Sequence, residues 1–245
     1  MDIKGKTALI TGASSGIGLD IARGFLERGV NVVLNGRNAE KLDKAAQFLG
    51  EESRITIVAS DISDKKTGGE MVKAAVKQFG SVDILVNNAG IFGLKPFLEN
   101  TEDDVDKYIN INLKGTYFVT QAVVKQMKEQ GSGCIVNIGT VLVMHPSASI
   151  PASAALITKG GVHALTTSLA SELAADNIRV NAVAPGVIRT PIYGDADVDA
   201  FAGLALLNRV GEVHETTEAV IYLATASFTT GVILPVDGGY VHGRT

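Results

Sequence analysis

The chain of 245 residues has no tryptophan and a single cysteine, Cys134. One cysteine excludes an intramolecular disulfide and any cysteine-rich metal site, and Cys134 reads as a small buried hydrophobe. The four histidines, at positions 145, 163, 214 and 242, show no metal-ligand spacing. Asp195, Asp197 and Asp199 alternate, but the rest of a calcium-loop pattern is missing, so no metal is expected. No apolar run approaches the roughly 18–20 residues that span a bilayer, so no membrane partner is expected. No positively charged lead precedes a long apolar stretch at the N-terminus, so no signal peptide is expected. There is no block of Lys or Arg, and 22 basic residues face 26 acidic ones for a net charge of −4. A nucleic-acid or polyanion partner is therefore not expected. With 46% hydrophobic and 20% charged residues, the composition is that of a globular protein. The expectation is a soluble protein of a reduced compartment, the cytoplasm.

Two kinds of apolar run alternate along the chain. Short β-branched runs at 7–10, 31–35, 55–60, 84–87, 134–138, 178–184 and 232–236 lack polar alternation, and so read as strands buried on both faces. Between them lie stretches with helical spacing, at 17–28, 40–49 and 70–79. Thr101 with Asp104 has the pattern of a capping box, and the helix it starts runs to Gln130, where Gly131 stops it. A further helix is read over 150–175, rich in Ala, Gly and Thr. Strand–helix alternation without a linker predicts an α/β fold: a single-domain doubly wound (Rossmann) parallel sheet of about seven strands with helices on both faces. It occupies residues 1–245, with a substrate lid near 190–209 after the sixth strand. That lid carries Tyr193, Phe201 and several Leu and Ala, an apolar cover.

The first strand runs into Thr11-Gly12-Ala13-Ser14-Ser15-Gly16-Ile17-Gly18. Gly12 suits the tight turn, Gly16 admits a phosphate close to the backbone, and Gly18 lets the following helix pack against the strand. Free N–H groups at the helix start and the hydroxyls of Ser14 and Ser15 suit a pyrophosphate. The second strand ends Leu34-Asn35-Gly36-Arg37. No carboxylate stands there to hold a ribose 2′-hydroxyl, whereas Arg37 can fork onto a 2′-phosphate.

These residues, with Asp61-Ile62, Asn87-Asn88-Ala89-Gly90, Asn110-Ile111-Asn112, Asn177-Ile178-Arg179-Val180-Asn181, Pro185-Gly186, Thr190 and Val236-Asp237-Gly238-Gly239, stand in an order that resembles the short-chain dehydrogenase/reductase family. The resemblance, to the 3-oxoacyl reductase-like members, covers residues 4–239. It implies that Gly12, Ser14, Ser15, Gly16, Ile17 and Gly18 cradle the coenzyme phosphates, with Arg37 favouring NADP over NAD. Ser15 stands where many NADP-using members carry a second basic residue. By the same resemblance Asp61 and Ile62 meet the adenine and Asn88, Ala89 and Gly90 its ribose side. Pro185, Gly186, Ile188 and Thr190 meet the nicotinamide end. It also implies a small-molecule substrate and a homo-oligomer, a dimer or tetramer.

At the reaction centre the family places a Tyr one helical turn before a Lys, a carbonyl-polarising Ser, and an Asn that supports a proton relay. Here Lys159 is present, Asn112 is present, and Thr140 replaces the Ser. The Tyr is replaced by Ala155, and the segment from Thr140 to Ala155 is slightly longer than the family's. A methyl group donates no proton. Candidate replacement donors are His145, an imidazole between Thr140 and Lys159 in the chain, a water held by Lys159 and Asn112, and Ser153. His145 also reads as a solvent-facing loop residue before Pro146, and His163 as a packing or surface residue. Three functions follow: NADP(H)-linked reduction of a small or medium carbonyl with a non-standard proton donor, coenzyme binding without redox turnover, and non-redox chemistry using Lys159 or His145 as base.

Overall fold

A computed structural model describes residues 2–243. Seven parallel strands form one sheet: β1 (Thr7–Ile10), β2 (Asn31–Gly36), β3 (Ile55–Ala59), β4 (Ile84–Asn87), β5 (Gly133–Ile138), β6 (Ile178–Pro185) and β7 (Ile233–Val236). Their order is β3-β2-β1-β4-β5-β6-β7. The winding reverses between β1 and β4, and that switch opens a crevice at the carboxyl ends of the strands.

Successive side chains of a strand face opposite sides, so each strand feeds two cores. Ile10, Leu34, Val86 and Val136 share one with Phe25 of α1 (Gly16–Glu27), Leu42 of α2 (Ala39–Leu49) and Leu223 of α7 (Val213–Thr225). Leu9, Val33, Leu85 and Ile135 share the other with Met71 of α3 (Thr67–Phe79), Val123 of α5 (Thr116–Gln130) and Ala170 of α6 (Ser153–Glu172). Burial on both faces is what the unalternating runs predict. The two edge strands are the exceptions: β7 is half-buried throughout and β3 is buried only at Ile55, and Pro235 is tolerated in β7 because it lies at the edge.

The Thr101 capping box forms as expected, with Thr101 accepting from the backbone of Asp104 and the Asp104 carboxylate accepting from the backbone of Thr101. The helix it starts is not uniform. After α4 (Glu102–Tyr108) it widens into a π-helical segment, Ile109–Gly115, before α5, and Asn112 sits in that segment rather than in regular α-helix. The helix read over 150–175 is shorter at both ends. Ile150 and Pro151 belong to the preceding loop, and the chain leaves α6 at Leu173 into a short 3-10 turn.

Buried amides lock the helices of one face to the sheet. Asn87 of β4 and Asn137 of β5 are register partners. The Asn87 amide donates to Asn137 (2.8 Å) and to Thr120 of α5 (2.8 Å). The Asn137 amide donates to Thr166 of α6 at 2.9 Å. Asn137→Ala is expected to lower the unfolding free energy by about 1–3 kcal/mol, because it strands the Asn87 donor away from water. Urea denaturation measures this, and an unchanged midpoint would refute the locking role.

Candidate active site

The crevice over the switch point has a volume of about 820 Å³. Its first end is built from backbone. Gly12 (φ +65°) and Gly16 (φ +56°) take the left-handed conformation that glycine allows, and a Cβ on Gly12 would stand 2.9 Å from the Ala89 Cα. Thr11 Oγ1 accepts from the backbone of Asn88 and of Ala89, each at 3.0 Å, which ties this turn to the end of β4. The first turn of α1 carries no acidic residue, and Ser15 caps it without a side-chain bond. The N–H groups there are free for an anion. A phosphorylated dinucleotide fits this cradle.

Every cofactor-side residue singled out from the sequence lines the crevice except Gly18. Gly18 lies beneath the turn, where a Cβ would collide with the Gly12 carbonyl and the Asn88 amide. That is the close packing its place in the glycine pattern calls for. At the end of β2, Arg37 faces the crevice with its guanidinium 3.9 Å from the Asp61 carboxylate. Lys41 lines the crevice beside it. The sequence reading missed Lys41. The available signal was its place in the first turn of α2, where Asn38 caps the helix by accepting from the Lys41 backbone.

At the other end, Thr140 and Lys159 line the same crevice. Lys159 Nζ donates to the Ile138 carbonyl at 2.7 Å. Burial lowers its pKa to about 8, since desolvation disfavours the ammonium. Thr140 Oγ1 accepts from the Leu142 backbone at 3.3 Å, and its own hydrogen is left for the crevice. Asn112 is buried behind the wall. Its amide oxygen accepts from Ile91 N (2.8 Å), and its amide nitrogen donates to Ile91 O (2.9 Å) and Thr158 Oγ1 (3.1 Å). A Cβ on Gly90 would stand 3.2 Å from both the Asn112 oxygen and Lys159 Nζ, so the two residues meet around that glycine. Asn112 thus clamps the loop after β4 to α6 and sets where Lys159 stands.

His145, the first-named replacement donor, does not line the crevice. The 3-10 turn Val141–Val143 carries the chain outward, leaving His145 exposed with its ring edge-on to Tyr240 at 5.7 Å. Ser153, at the start of α6, is also off the crevice, and Ala155 is sealed at 1% exposure. Leu142 and Ile150 of the loop before α6 line the crevice. His163 is buried rather than superficial. Its ring packs so closely on Gly139 that a Cβ there would collide with it, and Thr140 N points to His163 Nε2 at 3.5 Å. Burial, and then the nearby Lys159 charge, lower its pKa. Pro191, Ile192, Tyr193, Ala196, Phe201 and Leu204 line the crevice from the segment after β6. Among the described residues no His/Cys/Asp/Glu group could hold a metal, and no helix is long and apolar enough to cross a membrane.

A family profile for short chain dehydrogenases matches residues 6–199. A 3α-hydroxysteroid dehydrogenase of Mediterraneibacter gnavus is 37% identical over 249 residues, covering 97% of this chain and 98% of that protein. A 3-oxoacyl-(acyl-carrier-protein) reductase of Thermotoga maritima is 36% identical, covering 98% and 100%. Among solved structures, a short-chain type dehydrogenase/reductase from Mycobacterium marinum superposes with a TM-score of 0.93 at 31% identity, covering 98% of this chain and 96% of that one.

The lowered Lys159 pKa has a measurable consequence. The unfolded chain holds this proton up to the ordinary value of 10.5 and the folded chain only to about 8. The unfolded state therefore binds more protons between these limits, and stability rises with pH across them. Below pH 8 the full penalty of the buried ammonium is present. Lys159→Met is expected to be more stable than the wild type at pH 7, with the gap narrowing as the pH rises from 8 to 10.5. Thermal melts across that range check the sign; a gap that does not depend on pH would contradict it.

Proposed function

Because this chain belongs to the short-chain dehydrogenase/reductase family of oxidoreductases, we propose that it is an NADP(H)-dependent reductase of small or medium carbonyl compounds, running as an alcohol dehydrogenase in reverse, with a proton donor other than the family's phenol. One observation carries the reading: a single crevice holds an anion cradle at one end and Thr140 with Lys159 at the other. The dehydrogenase and reductase relatives support the reaction class.

A nicotinamide dinucleotide bound here supplies a hydride. Gly12, Ser14, Ser15, Gly16 and Ile17 hold its phosphates on backbone N–H groups and hydroxyls. Asp61 and Ile62 flank the adenine, and Asn88, Ala89 and Gly90 the adjoining ribose. Pro185, Gly186, Ile188 and Thr190 meet the nicotinamide end. Arg37 and Lys41 present two cations to a 2′-phosphate, and Lys41 supplies the second positive charge that Ser15 does not. Lys159 holds the nicotinamide ribose, Thr140 polarises the substrate carbonyl through its free hydroxyl hydrogen, and Asn112 positions Lys159. Residues 190–209 close over the substrate as an apolar cover. Exposed Ile157 on α6 (63%) and Tyr117 on α5 (47%) give these helices apolar outer surfaces, which supports assembly into a dimer or tetramer. A lone buried free thiol at Cys134 suits the cytoplasm.

A second reading, a coenzyme-binding protein without turnover, draws on Ala155, since loss of a general acid slows catalysis by about 10²–10⁴-fold. One set of assays separates the two. NADPH oxidation is followed over a panel of aldehydes and ketones, beside NADPH and NADH binding by fluorescence. The reductase reading expects turnover with at least one carbonyl, and binding alone favours the second. The double variant Arg37→Ala/Lys41→Ala is expected to weaken NADPH binding by about 10–100-fold through loss of charge-assisted hydrogen bonds. NADH binding should stay nearly unchanged, and equal losses for both coenzymes would refute the 2′-phosphate role.

A further inference from the structure

The sealed Ala155 leaves the reductase reading without its acid, and none of the five tyrosines lies beside this position in sequence. The fold brings two of them to the crevice, Tyr193 and Tyr240. They differ in what their oxygens can reach. The Tyr240 hydroxyl is sealed from solvent in a residue only 7% exposed, and it faces the Ser147 side chain. Tyr240 packs with Val141 and Ala184 beneath the His145 ring, so its oxygen meets a substrate only if the loop over it moves.

Tyr193 ends the 3-10 turn Pro191–Tyr193, just after Thr190, and lines the crevice together with Phe201, whose ring lies 6.2 Å away. It is half-buried, and its hydroxyl makes no hydrogen bond among the described residues. Its oxygen is not among the sealed, unpartnered ones. The crevice lining includes apolar residues from the same segment, Ile192, Phe201 and Leu204, and from the loop before α6, Leu142 and Ile150. A free phenol among them is a donor in search of an acceptor, and an apolar substrate carrying one carbonyl provides it.

We propose that Tyr193, delivered by the segment after β6, replaces the missing phenol and donates the proton to the substrate oxygen. This rests on the reductase reading above. As the carbonyl carbon gains a hydride from the reduced nicotinamide, which is thereby oxidised, the C=O π pair moves onto oxygen. That oxygen forms its O–H bond while the Tyr193 Oη–H bond breaks. The phenolate regains its proton from water in the crevice, so the sum is one carbonyl, one reduced coenzyme and one proton giving one alcohol and one oxidised coenzyme. Burial raises the Tyr193 pKa, which keeps the phenol protonated at neutral pH. Thr140 and Lys159 line the same crevice, where they polarise the carbonyl and hold the ribose.

Tyr193→Phe removes only an oxygen that bonds to nothing in the fold, so the melting temperature and NADPH affinity should not change. The substrate probe is 4-phenyl-2-butanone, with the rest of the carbonyl panel behind it. The expected result is a kcat lowered by about 10²–10⁴-fold with KM moved far less, while Tyr222→Phe, an exposed tyrosine on α7, behaves as wild type. A second readout needs no turnover and no coenzyme. Calorimetry with 3-phenylpropanamide, which presents a carbonyl that is not reduced, should show about 2–10-fold weaker binding to Tyr193→Phe, the worth of one neutral hydrogen bond. Wild-type turnover that survives Tyr193→Phe overturns the proposal, as does equal amide affinity in the two proteins. A loss confined to Tyr240→Phe gives the proton to the other phenol and also overturns it. A wild type that binds NADPH yet reduces no carbonyl fails at the reductase reading itself, and the assignment of Tyr193 falls with it.

Discussion

The site depends on a run of buried amides. Asn87 and Asn137 sit side by side in neighbouring strands and bridge outward to Thr120 and Thr166. Asn112 continues the theme one layer higher, joining Ile91 to Thr158. An amide in a dry interior must find its partners or forfeit its hydration. Each of these bonds therefore fixes a helix at one height and one rotation against the sheet. Lys159 follows Thr158 on α6, so its place at the crevice follows from how Thr158 is held. The π-helical segment around Asn112 belongs to the same device, because widening the helix re-aims a side chain without ending the element.

Around that frame the crevice is electrostatically divided. One end offers backbone N–H groups and the cations Arg37 and Lys41. The middle holds the half-buried Lys159, with no carboxylate bonded to it among the described residues. The far end is largely apolar. Such a division suits a ligand with a highly charged tail and a substrate with little charge of its own. It also leaves polar groups in the site although position 155 carries only a methyl group. Leu142 and Ile150 of the loop before α6 line the crevice, and the segment after β6 brings the Tyr193 phenol to it.

Much of this was legible in the residues. The seven strands stand where β-branched runs occur, because a strand buried on both faces leaves no room for alternating polar positions. The glycine turn was legible because Gly12 and Gly18 are places where a Cβ has nowhere to go. The capping box at Thr101 was legible because it is a local exchange of hydrogen bonds within one turn. What the residues concealed was the direction of side chains at loops. Nothing in the run Met144-His145-Pro146 shows that the preceding turn aims the imidazole away from the crevice. Nothing around His163 shows that its ring lies against Gly139. Lys41 went unread, although the Asn38 cap places it in the first turn of α2, close in the chain to Arg37.

The sequence by itself determined the order of strands and helices, the glycine-rich turn after β1, the presence of Lys159 and the absence of a phenol one turn before it. These depend on periodicity, on sterics at single positions and on contacts between near neighbours in the chain. Only the tertiary structure decided which distant side chains share the crevice, with Tyr193 and Lys41 inside, His145 outside and Ala155 sealed. The physical reason is that a polar side chain's role depends on what it is packed against and how much water it keeps. Both are set by segments far away in the chain.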